Sequence, residues 1–183
     1  MIYLDNAATT LHKPYAVAEA ARRAILRMAT PGRGGHSASM LAAETAYNCR
    51  ERAARLFGVK NPENIVFTFN ATHALNIAIK TFARENTRVL ISSYEHNSVV
   101  RPLNAVGARV MVAACELFDP DDAVRAFERL MGSAELVVVN HVSNVFCFVQ
   151  PIERIAEMCR AARVPFIIDA SQSAVVLDIN FEK

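Results

Sequence analysis

Apolar residues along this chain fall into two rhythms. Short runs rich in valine, isoleucine, leucine and phenylalanine occur at residues 64–69, 88–92, 109–113, 136–140 and 165–168. Runs of that length, bounded by turn-forming residues, read as buried strands. Ile2-Tyr3-Leu4 is a shorter strand candidate. Between the runs, helices are predicted over residues 14–28, 39–57, 72–83, 98–106 and 151–162, and for a segment opened by Asp119-Pro120-Asp121-Asp122. In that segment Asp119 suits the N-cap, Pro120 the first helical position, and the two following acids the positive end of the helix dipole. Gly58 and Gly107 are helix stops. Strands alternating with helices predict a mainly parallel α/β sheet with helices on both faces. Right-handed crossovers then gather the strand ends along one edge, where open α/β sheets bind their ligands.

Composition narrows the class. The 183 residues are 52% hydrophobic and 21% charged, which suits a globular chain with one substantial core. A net charge of +2 gives no footprint for nucleic acid or a membrane surface, and no apolar stretch approaches spanning length. Cys49, Cys115, Cys147 and Cys159 are scattered and form no CxxC pair, so neither a disulfide framework nor a metal site is expected. The N-terminus carries Asp5 and no signal-peptide pattern. These features predict a reduced, cytoplasmic enzyme or part of one. The glycine-rich stretch Thr30-Pro31-Gly32-Arg33-Gly34-Gly35-His36-Ser37 reads as a loop, and it lacks the phosphate-loop pattern. Arg33 and His36 there are either solvated loop residues or anion contacts.

Four loops meet at the predicted edge. Asn70-Ala71-Thr72-His73 opens a helix, and its hydroxyl and free N–H groups can hold an anion. Taken alone, Thr72 reads more readily as a helix cap. Tyr94-Glu95-His96-Asn97 brings a histidine able to stack or to transfer a proton. Asn140-His141-Val142-Ser143-Asn144 ends in an amide. Asp169-Ala170-Ser171-Gln172 adds a carboxylate, which taken alone reads equally as a turn cap. An anion cradle, a flat ring, an amide and a carboxylate around one crevice suit a planar, phosphorylated heteroaromatic cofactor. A carboxylate that keeps a ring nitrogen protonated makes the ring an electron sink, the electronic demand of pyridoxal 5′-phosphate (PLP).

The motifs also carry a resemblance. Tyr3-Leu4-Asp5-Asn6-Ala7-Ala8-Thr9-Thr10, Lys13-Pro14, Pro31-Gly32-Arg33-Gly34-Gly35-His36, Ala71-Thr72-His73-Ala74-Leu75-Asn76, Glu95-His96-Asn97-Ser98, Val142-Ser143-Asn144-Val145 and Ile168-Asp169-Ala170-Ser171-Gln172-Ser173 follow one another in a family's order. The sequence resembles the class V, fold-type I PLP enzymes, and within them the cysteine desulfurase and selenocysteine lyase group. The resemblance implies a PLP-transferase large domain. Ala71 and Thr72 would bind the cofactor phosphate, and His96 would stack on the ring and assist proton transfer. Asn144 and Gln172 would reach the ring hydroxyl side, and Asp169 would pair with the ring nitrogen. Small residues near Ala7 and Ala8 would line the substrate pocket. It further implies L-cysteine as substrate, release of its sulfur with alanine left behind, a persulfide passed towards a sulfur-acceptor protein, and a homodimer with the Arg33–His36 loop near its interface.

The same comparison predicts departures. The family's PLP lysine stands in a short His-Lys motif after a further strand beyond the Asp-x-x-Gln loop, and Lys13, Lys60, Lys80 and Lys183 do not occupy that place. The substrate-carboxylate arginine and the sulfur-accepting cysteine of the family also lie downstream, and Cys115 and Cys159 read as packing residues. The expected organisation is an N-terminal arm, helix and active-site loop over residues 1–36, then a partial PLP-binding α/β domain over residues 37–183, truncated before its last strands and inactive alone. Two strands missing from the sheet would leave the 64–69 strand without neighbours and the strand ending at Asp169 as an open edge. Cys147 and Val175 stand where the family usually has glycine; if those positions need positive φ, Val175 is strained. The alternatives are another class V reaction, such as an aminotransferase or selenocysteine lyase, and a non-catalytic remnant that dimerises or binds a partner.

Overall fold

The computed structural model describes residues 2–181. Contacts within the chain divide these into two compact units, residues 2–67 with 178–181, and residues 68–177.

In the first unit, α1 (Tyr15–Arg27) follows Pro14, which ends the extended entry to the helix. α2 (Ser37–Leu56) is capped by His36, whose Nδ1 accepts from Ser39 N at 3.4 Å. Ser39 Oγ donates to Thr30 O at 2.7 Å, which closes the glycine-rich loop onto the helix it leads into. The loop histidine is thus a helix cap. Gly58 follows α2 at φ +65, left-handed backbone that favours glycine, and a Cβ there would also displace the Asn180 side chain, 2.5 Å away at Oδ1.

The second unit holds the sheet. α3 (Ala71–Phe82), β1 (Arg88–Ser92), α4 (Asn97–Ala105), β2 (Arg109–Ala113), α5 (Pro120–Met131), β3 (Leu136–Asn140), α6 (Ile152–Ala162) and β4 (Phe166–Asp169) alternate along the chain. The four strands are all parallel, in the order β2-β1-β3-β4. β1, β2 and β3 span the residues expected of them, because each is a five-residue apolar run bounded by turns. Asp119 Oδ1 accepts from Asp122 N at 2.9 Å, the N-cap read from the sequence.

Strand period two sends alternate residues to opposite faces. Leu90, Val137 and Val139 pack with Phe127 and Met131 of α5 and Ile155 and Cys159 of α6. Val89, Ile91, Leu136 and Val138 pack with Leu75 and Ile79 of α3 and Val99 and Leu103 of α4. The two central strands are therefore buried on both faces, which is why they read as continuous apolar runs. Cys159 lies in the first cluster and Cys115 packs partly against it, as packing residues should.

Two expected strands do not form. Residues 65–69 belong to no strand, and only a 3₁₀ turn, Pro62–Asn64, precedes them. A strand exists through its ladder, and no described segment pairs with these residues; Phe69 instead stacks on His73 with ring centroids 5.3 Å apart and remains 92% exposed. Residues 2–4 are likewise unpaired, and Tyr3 OH turns back to Asp5 O and Thr9 O, 3.0 Å from each. β4 pairs with β3 alone, so it is a sheet edge, with Phe166, Ile167 and Ile168 only partly covered.

Candidate functional site

The carboxyl ends of β1, β3 and β4 open onto one edge of the second unit. Asn70 caps α3 by accepting His73 N at 2.8 Å on Oδ1. That leaves the N–H groups of Ala71 and Thr72, in the first turn, without intrahelical partners. Thr72 and Asn76 of α3 face His96, Ser98 and Arg101 of the following loop and α4 across a groove of about 290 Å³. His96 is the N-cap of α4: its Nδ1 lies 3.1 Å from Ser98 N and 2.8 Å from Ser98 Oγ. This capping fixes the plane of an exposed ring at the groove wall.

Asp169 ends β4 and is 8% exposed. Its Oδ1 accepts from Ser171 N at 3.0 Å and Ser171 Oγ at 2.5 Å. No ion pair involves this carboxyl among the described residues. A carboxylate on a buried residue at a sheet edge is the kind of acceptor that a protonated ring nitrogen requires. Together with the open turn of α3, the hydroxyl of Thr72 and the fixed ring of His96, the donor and acceptor set fits a phosphorylated pyridine.

Not every expected residue converges. The groove brings together Thr72 and His96; Ala71, Asn144, Asp169 and Gln172 do not line it. Gln172 is half-buried on the turn beyond β4, and Asn144 is exposed on the turn after β3. That turn is held by Cys147 N donating to Ser143 O at 2.9 Å.

Cys147 and Val175 both adopt left-handed backbone, at φ +55 and +71. These are the two positions expected to be glycine. For Val175 the conformation is an outlier, because a β-branched side chain crowds the carbonyl at positive φ.

A residue the sequence reasoning passed over is Glu95. Ser92 Oγ donates to its Oε1 at 2.5 Å, and Asn140 N donates to Oε1 at 2.9 Å and Oε2 at 3.1 Å. Glu95 as a whole is half-buried, but its carboxyl end is enclosed by Ser92 and Asn140, which are 1% and 3% exposed. Burial is the main cause that pushes its pKa up to about 7; hydrogen bonds from Ser92 and Asn140 pull the other way, and the charge of Asp169 adds to the rise. Gln150 completes the cluster, its Nε2 donating to Ser92 Oγ at 2.7 Å and Asn140 Oδ1 at 2.9 Å. Burial also lowers the pKa of His141, next along from Asn140, with Glu153 opposing the shift. The sequence signal for Glu95 was an acid at a strand end beside a histidine; its significance lay in Asn140 and Gln150, 45 and 55 positions away, which only the sheet brings near.

The family model for Aminotransferase class-V matches residues 2–183, and the chain belongs to that family. It is 32% identical over 187 residues to a probable cysteine desulfurase of Synechocystis, a match covering 95% of this chain and 43% of the relative. It is 33% identical over 192 residues to the cysteine desulfurase IscS of Pectobacterium carotovorum, covering 100% of this chain and 47% of the relative. The apo structure of a cysteine desulfurase from Thermococcus onnurineus superposes with a TM-score of 0.84 at 28% identity, over 99% of this chain and 46% of that one. The chain thus spans a little under half the length of the curated relatives it matches. No described helix is long and apolar enough to cross a membrane.

Proposed function

We propose that this chain supplies the cofactor-binding part of a PLP-dependent cysteine desulfurase, which takes sulfur from L-cysteine, leaves alanine and passes the sulfur on as a persulfide. The observation that carries the reading is the buried carboxyl-bearing residue Asp169 at the end of β4, on the sheet edge that also presents His96 and the open first turn of α3. When bound, PLP supplies an electron sink for the amino-acid substrate. Asp169 holds a proton on the ring nitrogen, and His96 offers a flat ring to stack and a nitrogen to move a proton. The N–H groups of Ala71 and Thr72 and the Thr72 hydroxyl hold the phosphate with the help of the helix dipole. Asn144 and Gln172 serve the ring hydroxyl side. The whole enzyme works in the cytoplasm as a homodimer and hands sulfur to an acceptor protein. The organisation of this chain is an arm, helix and loop over residues 1–36 and a partial cofactor domain over residues 37–183.

None of the chain's lysines stands in the family's PLP-lysine motif, so these 183 residues by themselves bind the cofactor without turning substrate over. The side chains of Cys147 and Val175, at left-handed positions where glycine is expected, favour a second reading, a non-catalytic remnant that dimerises or binds a partner. Intact mass after mixing with PLP and reducing with borohydride, paired with equilibrium dialysis of PLP, tests both. The proposal expects saturable PLP retention that Asp169→Asn weakens, with no stoichiometric lysine adduct. A single stoichiometric adduct on one lysine overturns the claim of inactivity. Absence of saturable binding overturns the cofactor reading and leaves the remnant.

A further inference from the structure

The ladder between β1 and β3 ends at Ile91 and Val138, and the chain turns away after Ser92. Asn140 N–H, two residues further along β3, therefore has no backbone acceptor on that side. The carboxyl of Glu95 takes its place, and the same carboxyl receives the hydroxyl of Ser92. Ser92 Oγ already accepts from Tyr94 N at 3.1 Å and from Gln150 Nε2, so its single hydrogen is committed to Glu95. Asn140 Nδ2 donates to Tyr94 O at 2.6 Å, which pins the loop a second time. Glu95 is thus the junction between the loop whose next residue is His96 and the strand end whose register partner is Asp169.

An amide or a hydroxyl would satisfy Asn140 equally well. A carboxyl in that place puts a second acid beside Asp169, and neither makes an ion pair among the described residues. Asp169 of β4 acts on Glu95 through its charge; Tyr94 and His96 adjoin it along the loop, His141 follows Asn140, and Arg101 of α4 lines the groove with His96. Oε1 accepts both Ser92 and the shorter Asn140 bond; Oε2 has only the 3.1 Å contact and is the less engaged oxygen.

We propose that Glu95 is a positioning residue of the site: its carboxyl fastens the His96 loop to the end of β3, and the proton it holds on Oε2 sets the negative charge that stands beside Asp169. The proposal rests on the cofactor reading above. When a ring with a protonated nitrogen comes to lie beside Asp169, Glu95 releases this proton to the buffer, its O–H bond breaking and the carboxylate keeping the electron pair. The site then presents two carboxylates to a cationic ring. The rise in the Glu95 pKa, caused by burial and by Asp169, agrees with a proton held in the free protein and given up on demand.

The test uses the full chain and pyridoxamine 5′-phosphate, which lacks the aldehyde that would label lysines. Affinity is measured for the native chain and for Glu95→Gln, which preserves an acceptor for Asn140 N, and the buffer dependence of the binding heat counts protons. The expected result is that native affinity relative to Glu95→Gln rises about tenfold between about pH 6 and about pH 8.5, a one-unit coupling. At about pH 7 the native chain should also release more protons than the variant. An affinity ratio that stays constant with pH overturns the proposal. The second arm needs neither ligand nor variant: selectively labelled Glu95 carboxyl and His96 ring signals are followed through a pH titration. Movement of the His96 signals in step with the Glu95 titration supports the proposal, and independence of the two overturns it. If the native chain binds no pyridoxamine 5′-phosphate, the cofactor reading fails, and this second arm alone decides the role of Glu95.

Discussion

Val175→Gly should stabilise the protein. Val175 sits at φ +71, 76% exposed, on the turn that follows Asp169. Left-handed backbone costs a residue with a Cβ roughly 1–2 kcal/mol, and a β-branched side chain belongs at the upper end of that range. Glycine removes the strain and adds about 0.5–1 kcal/mol of chain entropy to be lost on folding. Truncating a side chain that is only about a quarter covered forfeits about 0.5 kcal/mol of burial. The net is a gain of about 0.5–1 kcal/mol. For a chain of this size each kcal/mol moves Tm by about 2–4 °C. Urea unfolding followed by circular dichroism measures the change, with Val175→Ala as control. Alanine relieves the branching and retains the Cβ, so it should gain only part of the effect. The reasoning is refuted if glycine is no more stable than alanine, because the strain would then lie in the side chain and not in the left-handed backbone. Cys147, at φ +55 and without β-branching, should gain less from the same replacement.

Glu95 should make stability fall as pH rises. Its folded-state pKa of about 7 exceeds its ordinary value of 4.5, so the folded chain binds the proton more tightly. Its contribution is complete below pH 4.5 and is lost as pH climbs through about 7. The span is worth on the order of 3 kcal/mol in the difference between the native chain and Glu95→Gln, read from urea midpoints across that range. A native-minus-variant difference that does not change with pH would contradict the enclosed carboxyl. Asp119→Ala should cost about 1 kcal/mol by leaving Asp122 N–H at the start of α5 without its cap, seen as a lower Tm. Phe127→Ala should cost about 3–5 kcal/mol, because the ring is fully buried between α5 and the sheet; a loss below about 1 kcal/mol would mean that the core there collapses onto the gap.

How much of this was legible before the structure depended on how local the determinant was. β1, β2 and β3 were readable residue for residue, because each is a short apolar run whose ends are marked by turns and whose burial comes from helices on either side. The capped start of α5 was readable for the same reason, as all its parts lie within four residues. Residues 64–69 show the limit. Their composition suits a strand, but a strand is a relation between two segments, and the composition of one segment does not reveal whether a neighbour is there to pair with it.

The site divides along the same line. Thr72, His96 and Asp169 were readable as candidates because each stands at the cap, first turn or last residue of an element that the hydrophobic pattern defines. Glu95 did not, although it adjoins His96, because what makes its carboxyl unusual is contributed by Ser92, Asn140 and Asp169, residues of three different strands. The glycine expectation at Cys147 and Val175 lies between these cases. It came from a resemblance and specified a backbone angle, and both residues hold that angle although their side chains oppose it. Since Val175 lies beyond Asp169 and Cys147 just beyond Asn144, the turns that bracket the candidate ring position keep their shape at a cost in strain. A chain that had abandoned the site would gain by relaxing those turns. Their persistence therefore argues that the surrounding contacts still dictate loop geometry at this edge, and the Val175→Gly measurement puts a figure on that constraint.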